Sequence, residues 1–203
     1  MNIPKTSFQL SSYSLKQLQE FNQTVYVQQN GRNFELHDMV CRLSRFNARV
    51  LHKVRKETTE RTGYHLCMML SWLCAIANRL YLDVHETVAA HCAMTLPIDA
   101  PFDKMQTVFA SRHVEVTLQN ACLCLAEKVL GLASALEYYR ETHEEAYFRD
   151  MAKKMAQSIE ALSVVASLLG IKLNEELEKH FANGCSGCNE VPCRCGFRAD
   201  KVV

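Results

Sequence analysis

Little in this chain would interrupt a helix or give the molecule a strong field. Only four prolines and seven glycines punctuate 203 residues. Apolar residues meanwhile recur at spacings of three and four, an all-helical pattern. The formal net charge is +1, so no whole-molecule field draws the protein to nucleic acid or a membrane, and any such binding must come from a local patch. No basic lead with an apolar run marks a signal peptide. No stretch reaches the roughly 18 uninterrupted apolar residues of a membrane span, because His65 and Arg79 bracket the most apolar segment. A Gly-rich phosphate loop, a G-x-S-x-G elbow and an H-E-x-x-H helix are all missing. The expectation is a soluble, cytoplasmic protein with no membrane partner, long enough to bury a proper core as one large domain or two small ones.

Ten cysteines stand against these absences. Cys41, Cys67, Cys74, Cys92, Cys122 and Cys124 lie singly within apolar helical patterns, where thiols pack as small hydrophobes. Without an export signal the expected setting is reducing, which argues against disulfides. The other four, Cys185, Cys188, Cys193 and Cys195, are spaced C-x2-C-x4-C-x-C. Four thiolates in one short loop can close a tetrahedron around Zn²⁺ at about 2.3 Å each. Gly184, Gly187 and Gly196 relax the backbone for the tight turns and Pro192 presets one. An iron–sulfur cluster would use the same ligands, but a fully ligated four-cysteine site suits structural zinc. Such a knuckle, placed at 184–198, staples a terminus or presents a surface.

The helices can be placed from their ends. Ser14 with Gln17 forms a capping box opening a helix that runs to Asn30-Gly31. A second helix, from near Phe34, puts Leu36, Val40, Leu43, Asn47, Val50 and Val54 on one stripe. The third, about Tyr64 to Tyr81, is apolar on nearly every side and belongs at the centre of a bundle. Asp83 with Glu86 caps a fourth, short helix ending near Met94. Two of the four prolines fall in Thr95–Phe102, the best internal boundary. Beyond it, Asp103 to about Arg140 reads as one long or one broken helix, and the strand-like alternation of Val114–Leu118 is discounted. A helix from about Glu144 to Leu169 stops at Gly170, and Asn174 caps a last short one.

The chain also resembles itself. Shifted by 89 residues, Leu73 meets Leu162, Ala77 meets Ala166, Leu80 meets Leu169, Glu86 meets Glu175 and His91 meets His180. The order of elements is shared too: long apolar helix, sharp stop, short capped helix. Residues 1–94 and 103–183 therefore read as two copies of one helical unit.

One helix is distinguished by charge. Arg42, Arg45, Arg49, Lys53 and Lys56 step by 3, 4, 4 and 3 along one face of the second helix, with His52 and Arg55 beside them. From Arg42 to Arg61, seven Arg/Lys face only Glu57 and Glu60, a local +5 (7 − 2) in a nearly neutral protein. Such a face can be simply solvated. It can also contact phosphates of a nucleotide or a nucleic-acid backbone, or a protein partner, with Arg194 and Arg198 extending the patch. His65 and His113 read as satisfied core histidines, and Trp72 as core.

The stretches Leu66–Val88, Ala161–Leu177 and Ser14–Glu20 resemble core helices of MazG-like nucleoside triphosphate pyrophosphohydrolases. Gly184–Cys195 is similar to a tail carried by some members. The resemblance implies an all-α bundle of two MazG-like repeats with a small zinc knuckle, present as a pseudo-dimeric monomer or a homodimer. It also implies Mg²⁺ held by Glu-Glu-x-x-Glu on one helix and Glu-x-x-Asp on the next. Those places fall here at Arg42, Leu43, Phe46, His65 and Met68, and at Glu127, Lys128, Gly131, Lys154 and Gln157. Only Glu127 is acidic. The expectation is a catalytically degenerate protein that works by binding. The alternatives are an active Mg²⁺-dependent pyrophosphohydrolase using Glu127 with Glu137, Glu141, Glu144, Glu145 and Asp150, or a structural assembly subunit.

Overall fold

The computed structural model describes residues 8–32, 34–58, 60–93, 95 and 97–195, with the backbone alone over 28–32. Among the described residues the regular structure is helical: a single 3₁₀ turn, Leu10–Ser12, and eight α-helices. These are α1 (Leu15–Arg32), α2 (Leu36–Arg55), α3 (Thr62–Arg79), α4 (Val84–His91), α5 (Phe102–Arg112), α6 (Leu118–Thr142), α7 (Glu145–Leu168) and α8 (Leu173–Phe181). No single helix among them is long and apolar enough to cross a membrane.

Local chemistry sets most of the ends. At α1 the Ser14 N–H donates to Gln17 Oε1 at 2.8 Å and the Gln17 N–H to Ser14 Oγ at 3.3 Å, the expected reciprocal box. Glu35 and Asp38 form another at α2. Asp83 accepts from the Glu86 N–H at 2.9 Å, and α7 ends at Leu168, two residues before the turn residue Gly170, φ +68°. The span after Asp103 is broken: α5 stops at Arg112, and Thr117 caps α6 by accepting from the Asn120 N–H. Val114–Thr117 is the connection between them. Asn174 is not a cap. It lies inside α8, buried, and its amide donates to the carbonyls of Ser11 and Tyr13, both at 3.1 Å. Tertiary demand has taken over a side chain whose sequence position suggested a local role.

Packing repeats with the sequence. In the first half α3 packs on α1 and α2; in the second α7 packs on α5 and α6. The short helices cross over, α4 onto α7 and α8 onto α3, while α2 meets α6 and α3 meets α7. The bends are alike, 101° between α3 and α4 and 94° between α7 and α8. Both central helices are buried on most sides, and the two halves share one continuous hydrophobic core.

One side chain in each half builds the bend. Gln19 Nε2 donates to Asn78 Oδ1 (2.9 Å) and the Leu82 carbonyl (2.7 Å), and its Oε1 accepts from the Val84 N–H (2.8 Å). Gln106 Nε2 donates to Ser167 Oγ (3.1 Å) and the Ile171 carbonyl (2.7 Å), and its Oε1 accepts from the Leu173 N–H (3.1 Å). Asn78 and Ser167, Leu82 and Ile171, and Val84 and Leu173 are each 89 positions apart. So are Tyr81 (φ 56°) and Gly170 (φ 68°), the left-handed residue of each bend. The entries to α1 and α5 meet in an antiparallel bridge between Ser14 and Pro101, with the Phe102 N–H donating to the Tyr13 carbonyl at 2.9 Å.

Candidate metal centre and anion-binding cleft

The four C-terminal sulfurs converge. One ligand atom from each of Cys185, Cys188, Cys193 and Cys195 lies within 4.8 Å of all the others. Three of the separations are 3.3 Å (Cys185–Cys193), 3.7 Å (Cys185–Cys195) and 3.9 Å (Cys188–Cys193). A tetrahedron with metal–sulfur bonds of about 2.3 Å has edges of about 3.8 Å, so this donor set fits one ion. The backbone supports it. N–H groups of Gly187 and Arg194 point at Cys185 Sγ and Cys188 Sγ, at 3.3 and 3.4 Å. Burial raises the Cys188 thiol, but N–H donation from Arg194 and Glu190 outweighs it and brings the group to about 7. A Cβ at Gly187 would stand 3.0 Å from Cys195 Sγ. At Gly184, φ +105°, it would strike Val191 and the Glu190 carbonyl. Both glycines are dictated by the turns.

The knuckle is docked on the first half. The Cys193 N–H donates to the Val25 carbonyl of α1 at 2.7 Å, and Ser186 Oγ approaches Met68 Sδ of α3 at 3.8 Å. Tyr26, where α1 leaves helical geometry, has its hydroxyl pushed well above the usual range by burial, then by Cys185 and Cys193.

The basic stripe divides. Arg45, Arg49 and Lys53 line an open cleft of about 570 Å³ with Ala48, His52, Glu60, Arg61 and His65. Arg42 lies elsewhere, its guanidinium carbon 4.4 Å from the centre of the Phe34 ring and 5.7 Å from that of Trp72. Burial lowers its pKa, and the contact is cation–π packing. Lys56 is the exposed C-cap of α2 and does not line the cleft. Arg61, in the left-handed region at the N-cap of α3, lines it together with Arg49 and Lys53. None of Arg45, Arg49, Lys53 or Arg61 forms an ion pair with a described acidic residue.

His65 is not a satisfied core histidine. It is 7 % exposed, lines the cleft, and its buried Nδ1 has no hydrogen-bond partner. Its ring lies 6.0 Å from Phe46. Burial, then Arg49, Lys53 and Arg61, lower its pKa to about 4. His113, by contrast, is partly exposed and pairs with Glu160 at 3.2 Å. Trp72 is partly buried against the core, its Nε1 unpartnered. Cys67, Cys74, Cys92 and Cys122 are buried as expected, whereas Cys41 and Cys124 are exposed. Arg61 could have been found in the sequence by continuing the stripe past the turn, because the next helix begins beside it.

The acidic set does not gather. Glu141, Glu144 and Glu145 are exposed, and Glu137 is engaged by His37 at 3.0 Å and Arg140 at 2.9 Å. Among the described residues the cysteine cluster is the only group of three or more such side chains placed to share an ion. Glu127 pairs with Lys128 at 3.0 Å. A Cβ at Gly131 would stand 3.2 Å from Lys154 Cδ, so Gly131 and Lys154 are neighbours as Phe46 and His65 are in the first half. Arg194 is paired with Glu190 at 3.0 Å, and Arg198 lies outside the described residues. Comparison with protein-family models, curated proteins and solved structures returned no match.

Proposed function

We propose that this protein is a catalytically degenerate, internally duplicated MazG-like bundle that binds a phosphate-rich ligand in the cleft between α2 and α3. A structural zinc ion in the four-cysteine knuckle holds the first half together. The observation that carries the reading is the cleft itself: Arg45, Arg49, Lys53 and Arg61 line one open space with no described carboxylate paired to any of them. Like charges so placed repel one another, and an anion that joins them removes that cost while making charge-assisted hydrogen bonds. The duplication favours a monomer whose two halves occupy the places of two subunits.

The test is binding of a nucleotide and of a short single-stranded oligonucleotide, followed by titration calorimetry over a range of salt. Affinity that falls as salt rises, and that is lost in Arg49→Glu with Lys53→Glu, supports the reading. Absence of binding to both ligands at low salt removes it.

A further inference from the structure

The cleft concentrates its charge. Arg45, Arg49, Lys53 and Arg61 supply +4 and Glu60 supplies −1, so one open space of about 570 Å³ carries a net +3 (4 − 1). A phosphodiester strand presents one charge per linking phosphate. A phosphomonoester carries nearly two on a single phosphorus, with three free oxygens. None of the lining residues is Phe, Tyr or Trp, the side chains that most often stack a base. Its chemistry reads a phosphate group, and one of high charge.

The most buried of the lining residues points the same way. His65 is more than nine-tenths buried, and its Nδ1 is sealed without a partner. With that nitrogen shut in, Nε2 is the atom left to meet a ligand. Arg49 and Lys53 of α2 and Arg61 at the start of its own helix line the same cleft, and with burial they oppose a further positive charge on the ring. A neutral imidazole can still donate one N–H, which suits an oxygen of an anion already held by cations.

We infer that the cleft is a terminal-phosphate site, in which His65 donates to a phosphomonoester dianion clamped by Arg49, Lys53 and Arg61. This rests on the reading of the cleft as a phosphate site and narrows it. A terminal phosphate belongs either to a free nucleotide or to the 5′ end of a nucleic-acid strand. His65 adds a donor for the third free oxygen, which a linking phosphodiester lacks.

The experiment compares, on the full-length wild-type protein, AMP with 3′,5′-cyclic AMP, and a 5′-phosphorylated short oligonucleotide with its 5′-hydroxyl counterpart. Affinities are measured by calorimetry above about pH 7, where the monoester is mainly dianionic. AMP is expected to bind at least about tenfold more tightly than cyclic AMP. His65→Leu, or His65→Asn if the leucine variant does not fold, should cut that preference to about threefold or less. Stronger binding of the phosphorylated oligonucleotide than of AMP assigns the group to a strand end; the reverse assigns it to a nucleotide. Equal affinity for AMP and cyclic AMP overturns the terminal-phosphate site and leaves the general phosphate reading intact. No binding by any of the four probes overturns both.

Discussion

The two halves share a scaffold and differ in what they do with charge. In the second half, Lys128, Arg140 and Arg149 each lie against a carboxylate, and Gly131 sits beside the Lys154 stem. In the first half, α2 and α3 border an open cleft whose cations form no ion pair with a described acid, although Glu60 also lines it. Ion pairs on a surface contribute little to stability, so the pairing in the second half is no great structural gain. What it does is neutralise that surface. The first half keeps its charge unspent, at the cost of mutual repulsion, and the proposed phosphate binding rests on that asymmetry.

The knuckle sharpens this contrast most strongly, because it touches α1 and α3 of the first half. Cys185→Ser or Cys193→Ser, or stripping of the metal, should cost about 4 kcal/mol or more, since a bound structural ion contributes folding energy outright. Hydrogen exchange should rise first around Val25–Tyr26 and Met68, with the α6–α7 pair keeping its protection. Uniform loss across both halves would break the assignment of the knuckle to one of them.

Next comes charge. Arg49→Glu with Lys53→Glu should weaken phosphate binding by about a hundredfold, as expected for two charged hydrogen bonds. Lys154→Glu in the second half should leave it within about twofold. His65 adds a pH signature. Its folded pKa of about 4 lies below its ordinary 6.5, so the unfolded chain takes up the proton first. The group costs nothing above pH 6.5; as pH falls from there toward 4 it destabilises the fold, by about 2 kcal/mol after screening. His65→Leu should flatten that part of the acid unfolding profile.

The smaller effects test the symmetry. Gln19→Ala and Gln106→Ala should each cost about 2 kcal/mol, because each orphans a helix N–H and a carbonyl at the bend. Unequal losses would mean the two bends are not equivalent in energy. Tyr81 is almost fully exposed at φ 56°, where the second half has Gly170. Tyr81→Gly should stabilise by about 0.5–1 kcal/mol by relieving a left-handed side chain. Chemical denaturation reads all three.

Much of the fold was legible because its signals are local. Ser14 with Gln17, Asp83 with Glu86, and Gly170 fix helix ends through contacts within a few residues, and the 89-residue shift recovers the two bends residue by residue. Illegible parts were those set across the chain. Asn174 has the composition of a cap but serves the carbonyls of Ser11 and Tyr13, more than 160 residues away. Gln19 and Gln106 carry no periodicity of their own, and only the fold shows what they hold. At the candidate site the cysteine spacing announced the knuckle directly. The basic stripe announced a face, but which cations converge depended on the α2–α3 turn. That turn brings Arg61 and His65 to Arg45, Arg49 and Lys53, whereas Phe34 and Trp72 take Arg42 away.

The most direct measurement of the central claim is the salt dependence of AMP affinity in wild type, Arg49→Glu/Lys53→Glu and Lys154→Glu. Binding should weaken with salt in wild type and Lys154→Glu, and should fall by about a hundredfold in the double variant. Affinity that is absent throughout, or unchanged by the double reversal, would contradict it.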